Sequence, residues 1–311
     1  MAKTINSRRI LKRCLIVYAA VFLIGIVIAC IFKVKLDINF IGGTRISYSY
    51  TGDVKEADFK KATDEIIKND YVLTQNTSLA GNEKTYVITL VGRDSLSAKT
   101  QEQLTEKLQS EFKDNEIELY DSNSVSPTTA GDFFVKCIVA VVITALFVVL
   151  YVGVRFRKIG GVSAAITALC SLVLDLLVTF FTCVIFRLQI DSNYMAVVLT
   201  ILGYSLNDTI VVYDRIRENK KLYPQLTVGE NIDKSISETM TRNIVTSVTT
   251  ILAVLTIVVV SEIYGLSSLR TFAIPMSFGL LSGCVSSLFV AGPLWVCWKE
   301  RKEKKAKLKK A

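Results

Sequence analysis

Six long stretches of this chain carry almost no charge, and that pattern constrains its fold more than any other feature. About 20 successive apolar residues cross a hydrocarbon core of roughly 30 Å. Inside that core the backbone polar groups must satisfy one another, as a helix does. The stretches therefore predict membrane-spanning helices at 14–32, 133–154, 159–186, 191–213, 242–262 and 270–298. Apart from charges at their other ends, Asp175 in the third, Asp208 in the fourth and Arg242 at the start of the fifth stand out. A hydrophobic content of 51% and a mean hydropathy of +0.42 agree with this reading and depart from the composition of a soluble domain.

Orientation follows from the placement of Lys and Arg, which concentrate in cytoplasmic loops. The tails at 1–13 and 299–311 are basic, as are the loops after the second and fourth spans. The short loops on the other side carry only Arg187 and Arg270. A multi-pass protein of the bacterial cytoplasmic membrane with both termini in the cytoplasm is expected. Most of the +9 net charge is then juxtamembrane, where it meets anionic lipids, and nucleic-acid binding is not expected. The run Val27-Ile28-Ala29-Cys30 looks like a processing site, but the apolar stretch continues to Phe32 and five spans follow, so the first span reads as retained. All seven cysteines lie in or beside spans, which implies no disulfide framework. With no histidine in the chain, proton chemistry near neutral pH falls to carboxylates.

Residues 33–132 form a polar segment long enough for one small domain. Ile46, Tyr48 and Tyr50 alternate with polar residues as in a strand. Ala57, Phe59, Ala62, Ile66 and Ile67 recur at near-helical spacing. A strand over Tyr71 to Leu79, a Gly81-Asn82 turn, a strand through Tyr86, Ile88 and Leu90, a helix over Ser95 to Phe112 and a strand over Glu116 to Tyr120 complete the order βαββαβ. That is the ferredoxin-like α+β pattern, placed outside the cytoplasm, with Ser122 to Thr129 as a linker into the second span. The fold expected is a bundle of six transmembrane helices bearing this domain. In the cytoplasmic stretch 214–241, Ile232, Ile236 and Met240 recur every four residues and suggest a short amphipathic helix lying at the interface.

The polar domain offers no catalytic or metal-binding constellation, so neither an enzyme nor a cofactor site is expected. Gly42-Gly43 reads as a tight turn. The spans are more informative, because an ionisable group in hydrocarbon is costly and marks a functional position by default. On a helix Tyr204, Asn207 and Asp208 share a polar stripe, and Asp208 sits roughly 9 Å in from the cytoplasmic end. It reads as a carrier of protons, or alternatively as an interhelical hydrogen-bonding group. Arg242 should return to a similar depth as its partner, or else snorkel at the boundary. Asp175 lies near the middle of its span, as a relay member or as a packing group. Ser277, Gly279, Ser282, Gly283, Ser286 and Ser287 in the last span read as small residues for close packing.

The run from Gly203-Tyr-Ser-Leu-Asn-Asp-Thr through Tyr213-Asp-Arg-Ile-Arg-Glu-Asn219 closely resembles the signature of the SecD/SecF family of protein-export membrane proteins, in its SecF branch. Asn39-Phe-Ile-Gly-Gly-Thr44, Ser237-Glu-Thr-Met-Thr-Arg-Asn-Ile-Val-Thr-Ser247 and Ala291-Gly-Pro-Leu-Trp295 resemble further motifs of that family, so the resemblance covers essentially the whole chain. Asn39 stands where the family usually has Asp, and Leu174 where it often has His. The resemblance implies a bundle of the resistance-nodulation-division type, completed to twelve spans by a SecD-like subunit. It implies work beside the SecYEG channel, with a small YajC-like subunit, using the proton-motive force to move exported unfolded polypeptides. By motif match Asp208 would be the proton-carrying acid and Arg242 its partner, with Asn207 and Asp175 in the same relay. Half of a small-molecule or lipid efflux pump, or a non-transporting scaffold for the channel, are the competing readings.

Overall fold

The computed structural model describes residues 7–69, 71–77, 84–91 and 96–308. The Gly81-Asn82 turn, the end of the strand expected to reach Leu79, the first residue of the helix expected from Ser95, and the extremes of both tails lie outside them. Helix α1 (Ser7–Phe32) leads through a short helix α2 (Ile38–Ile41) into strand β1 (Gly43–Tyr50). Helix α3 (Glu56–Ile66), strands β2 (Tyr71–Thr77) and β3 (Lys84–Val91), helix α4 (Ala98–Glu111) and strand β4 (Glu118–Val125) follow. The remaining chain is helical: α5 (Pro127–Arg155), α6 (Gly161–Ile185), α7 (Ser192–Leu222), α8 (Val228–Tyr264), α9 (Ser267–Ser286) and α10 (Gly292–Leu308). A π-helical stretch, Ser287–Ala291, joins the last two. Six of these segments are long and apolar enough to cross a membrane: α1, α5, α6, α7, α8 and the continuous α9–α10 rod.

The four strands form one antiparallel sheet in the order β2-β3-β1-β4. Alternation along β1 and β3 sends Ile46, Tyr48, Tyr50, Tyr86, Ile88 and Leu90 to one face. There they pack with Phe59 and Ala62 of α3 and Leu104 and Leu108 of α4. Aromatic stacking orders this core, with the Phe59 and Tyr86 rings 4.3 Å apart and those of Tyr50 and Tyr86 4.8 Å apart. Gly42 and Gly43 form the entry to β1 at φ +90° and +138°. A Cβ on Gly43 would collide with the Leu90 carbonyl, so the glycine is required by both the backbone angle and the neighbouring strand.

Two sequence expectations are corrected. Ser122 to Thr129 is not a linker: β4 runs to Val125, and α5 starts at Pro127. Ser126 caps that helix by accepting from the Thr129 amide at 3.2 Å, and proline suits its first turn. The stretch 214–241 holds no separate interfacial helix. Helix α7 continues to Leu222 and α8 begins at Val228, closed by a capping box in which Thr227 and Glu230 bond each other's backbone amides. Ile232 and Ile236 are fully buried among Val212, Tyr213, Ile216 and Trp295, so their stripe faces neighbouring helices and not a membrane surface.

Helices α1, α5 and α8 turn large apolar side chains outward, among them Ile16, Leu23, Leu146, Phe147 and Leu252. Such a surface suits lipid and would be a liability in water. Helices α6 and α7 and the α9–α10 rod form the interior.

Candidate functional site

The interior of the bundle is organised around two carboxylates. Asp175 sits at the middle of α6 and is completely buried. Three hydroxyls from two other helices donate to it: Ser205 of α7 at 2.6 Å, Ser282 of α9 at 2.6 Å, and Ser286 of α9 at 2.7 Å. Ser282 and Ser286 stand four residues apart, one helical turn, and so address the same carboxylate from one face. The close approach of α9 that this needs is provided by glycine. A Cβ on Gly279 would collide with Ile201 and crowd Thr179, and one on Gly283 would lie 3.1 Å from the Ser205 Cβ. Tyr18 of α1 extends the cluster, donating to the Ser282 carbonyl at 3.2 Å with its oxygen 3.1 Å from the Ser282 hydroxyl.

Asp208 lies one turn beyond Ser205 on α7 and is 2% exposed. Ser247 of α8 donates to its carboxylate at 3.3 Å, and the Asn243 amide donates to its backbone carbonyl at 3.4 Å. Ser205 and Asp208 therefore place both carboxylate sites on one face of α7. Below them the α7–α8 hairpin is tied by polar contacts. Buried Asn219 donates to Ser235 at 3.0 Å and to Glu238 at 2.7 Å, and Arg215 pairs with Glu238 at 2.7 Å.

The residues singled out in the sequence separate into two groups. Asp175 and Asp208 are brought into one polar interior. Arg242 and Asn207 are not part of it: both are exposed. Arg242 acts on Asp208 electrostatically, but no described ion pair within 4.0 Å joins them. The expected single stripe is split by helix geometry. Asn207 and Asp208 are adjacent residues, so they point roughly 100° apart. Tyr204 turns to α8, where its hydroxyl donates to Thr250 at 3.2 Å. Asn207 and Gly203 face away from the chain, with nothing within 4 Å of a Cβ built on Gly203. Gly42 and Gly43 sit at the junction between α2 and β1, away from the carboxylates.

Two sets of polar residues were missed from sequence. Ser205 escaped notice, and Ser282 and Ser286 read as packing residues; their i, i+4 spacing was the available signal. The other set surrounds Asp37, which is fully buried just before α2. Arg45 of β1 forms an ion pair with it. Asn39 donates to it at 2.7 Å and Gln189, in the loop between α6 and α7, at 3.0 Å. The backbone joins in: Asp37 N–H donates to the Ile190 carbonyl at 3.0 Å and Ile190 N–H to the Lys35 carbonyl at 2.9 Å. Arg187 of the same loop stacks over Phe32 at the end of α1, 4.5 Å from the ring centre. The exit of α1, the sheet and the α6–α7 loop are thereby joined at one point. No sequence spacing marks this cluster, because Asp37 and Gln189 are 152 residues apart.

Among the described residues no group of His, Cys, Asp and Glu side chains has the makings of a metal site. Comparison with known proteins adds a family. Residues 104–301 match the family model described as protein export membrane protein SecD/SecF, C-terminal. The protein translocase subunit SecF of Alicyclobacillus acidocaldarius is 31% identical over 290 residues, covering 92% of this chain and 90% of that one. The protein translocase subunit SecDF of Bacillus subtilis is 34% identical over 294 residues, 92% of this chain and 37% of that one. The crystal structure of SecDF, a translocon-associated membrane protein from Thermus thermophilus, superposes with a TM-score of 0.79 at 25% identity. It covers 96% of this chain and 39% of that one. The chain thus spans well under half the length of its SecDF relatives and nearly all of its SecF relative.

Proposed function

The chain belongs to the SecD/SecF family of protein export membrane proteins, and from that premise we propose that it is a SecF-type half of a proton-driven accessory to the Sec channel. Its coarse role is that of its relatives: a multi-pass membrane protein associated with Sec-dependent protein translocation. The proposal adds a SecD-like partner, the SecYEG channel and a YajC-like small subunit as neighbours, exported unfolded polypeptide as cargo, and the proton-motive force as the energy source.

One observation carries the mechanism. Two buried carboxylates in membrane-spanning helices are joined through hydroxyls to every inner helix and to α1. A proton crossing the membrane inward releases about 2.3 kcal/mol per 100 mV. Proton exchange at Asp208 alters its attraction for Arg242 and its hydrogen bond with Ser247. Ser205, one turn away, sits between α7 and Asp175, and Ser282 connects Asp175 to Tyr18. A shift of α7 against α9 therefore reaches α1. Beyond α1, the Asp37 cluster links the α6–α7 loop to β1. The exposed faces of α7 and α8 bearing Gly203, Asn207 and Arg242 suit a SecD-like half. The strand order and the βαββαβ sequence support a ferredoxin-like domain, and the distribution of Lys and Arg supports its placement outside the cytoplasm. The free edges of β2 and β4 suit strand addition by an emerging polypeptide.

The test is Asp208→Asn, measured as export by inverted vesicles with and without an ionophore. The variant is expected to assemble normally and to lose the stimulation that the gradient gives. Full gradient-dependent export in the variant would overturn the proposal and favour a scaffold that holds the channel without moving.

A further inference from the structure

The ends of α1 and α10 that carry the basic tails enclose a groove of about 700 Å³. Its walls are Leu11 and Leu15 on one side and Leu294, Cys297 and Trp298 on the other, and Arg301 and Lys302 close its end. Leu11 forms the floor, buried against the bundle, while Leu15 is 40% exposed and Trp298 44% exposed. Leu15 continues into Ile16 and Val17, both well exposed on the same helix, so the groove opens sideways onto the surface that faces lipid. Tryptophan prefers the headgroup level of a bilayer, which fixes the depth of this opening.

We propose that this groove binds one anionic glycerophospholipid from the leaflet that the basic tails face. An apolar trough entered from the membrane suits an acyl chain. Two cationic side chains at its headgroup end suit a phosphate that carries net negative charge. Arg contributes a planar fork of donors that matches phosphate oxygens, and Lys adds a point charge. Basic pockets between spans select anionic headgroups in this way. The groove also explains why Trp298 and Leu15 stay uncovered while their neighbours Leu11 and Trp295 are buried. A bound lipid would add to the packing that already joins the first and last spans around Leu11 and Cys297. This assignment is independent of proton coupling and of the client.

The chain has two tryptophans, so replacing Trp295 by Phe leaves Trp298 as the single indole and as a reporter inside the groove. The full chain is reconstituted in phosphatidylcholine vesicles containing equal mole fractions of either dibromo-phosphatidylglycerol or dibromo-phosphatidylcholine, and quenching of Trp298 is recorded. The anionic probe is expected to quench as though enriched about fivefold for each contributing cation. R301Q/K302Q should return it to parity with the neutral probe. L294F, which fills the trough and leaves every charge in place, should lower quenching by the anionic probe as well. Equal quenching by the two probes overturns the proposal, as does a preference that survives R301Q/K302Q. A preference untouched by L294F also overturns it, because it would belong to the basic surface and not to the groove. Absence of quenching by either probe overturns it too, because the groove would then be closed to lipid. None of these outcomes bears on export, so failure here leaves the transport proposal standing.

Discussion

Replacing Arg45 by Gln should loosen the point where the first span, the sheet and the α6–α7 loop meet. Asp37 is fully buried, and its carboxylate is held by Arg45, Asn39 and Gln189. Removing one partner from a buried ion pair typically costs about 3–5 kcal/mol, because the remaining charge is left without its counterion. Arg45 is a third exposed, so water offsets part of its attraction, and two neutral donors stay in place; about 2 kcal/mol is the expected loss. The segment Lys33–Lys35 offers a readout. Both lysines are exposed, but the backbone bonds between Lys35, Asp37 and Ile190 hold the chain in an extended bridge. Trypsin should cut there only after the bridge opens. Where cleavage follows the open population, about 2 kcal/mol corresponds to roughly thirtyfold faster cutting in R45Q than in the parent. D37N/R45Q, with no charge left unpaired, should recover a large part of the loss. Unchanged cleavage in R45Q refutes the reasoning. So does a double variant whose effect is the plain sum of D37N and R45Q, since coupled residues are expected to be non-additive.

Ser282→Ala with Ser286→Ala removes two of the three donors to Asp175. Hydrogen bonds to a charged group contribute about 1.5–3 kcal/mol each, so the thermal midpoint of the purified protein should fall clearly, and each single variant should fall less. In the polar domain, Lys107 pairs with Glu65 at 2.8 Å and holds its carboxyl below the ordinary range, through their hydrogen bond first and charge second. A lowered carboxyl value means that the pair's contribution is present above the unfolded value and fades as pH falls through the folded one. The difference in thermal midpoint between the parent and Lys107→Gln should therefore be visible at neutral pH and vanish in acid; a constant difference would refute the pairing.

The spans were legible because hydrocarbon imposes a one-dimensional rule: length without charge. That rule holds for each helix separately and needs no knowledge of its neighbours. The polar domain was legible for a similar reason, since strand and helix periods at Ile46, Tyr48, Phe59 and Leu104 report which face is buried. Asp208 and Asp175 were conspicuous because a carboxyl in a span violates the rule. The roles of Ser282 and Ser286 were not legible, because a small residue at a helix crossing serves equally as a spacer or as a donor, and only the helix opposite decides. Ile232 and Ile236 illustrate the same ambiguity. A stripe every four residues says that one face is apolar, not whether lipid or protein covers it. Arg242 and Asn207 show the converse, being polar groups whose surface is bare within this chain.

What the sequence determined alone is therefore the set of elements, the residues that hydrocarbon should not tolerate, and a basic bias toward one side of the membrane. The tertiary structure decided which helix supplies each carboxylate with its donors, and that Asp37, Arg45 and Gln189 converge. The physical reason is range. Helix and strand propensity, capping and span length act between residues a few positions apart. The hydrogen bonds that Ser205 gives Asp175 and Gln189 gives Asp37 join residues 30 and 152 positions apart, and they form only when packed helices bring those positions together.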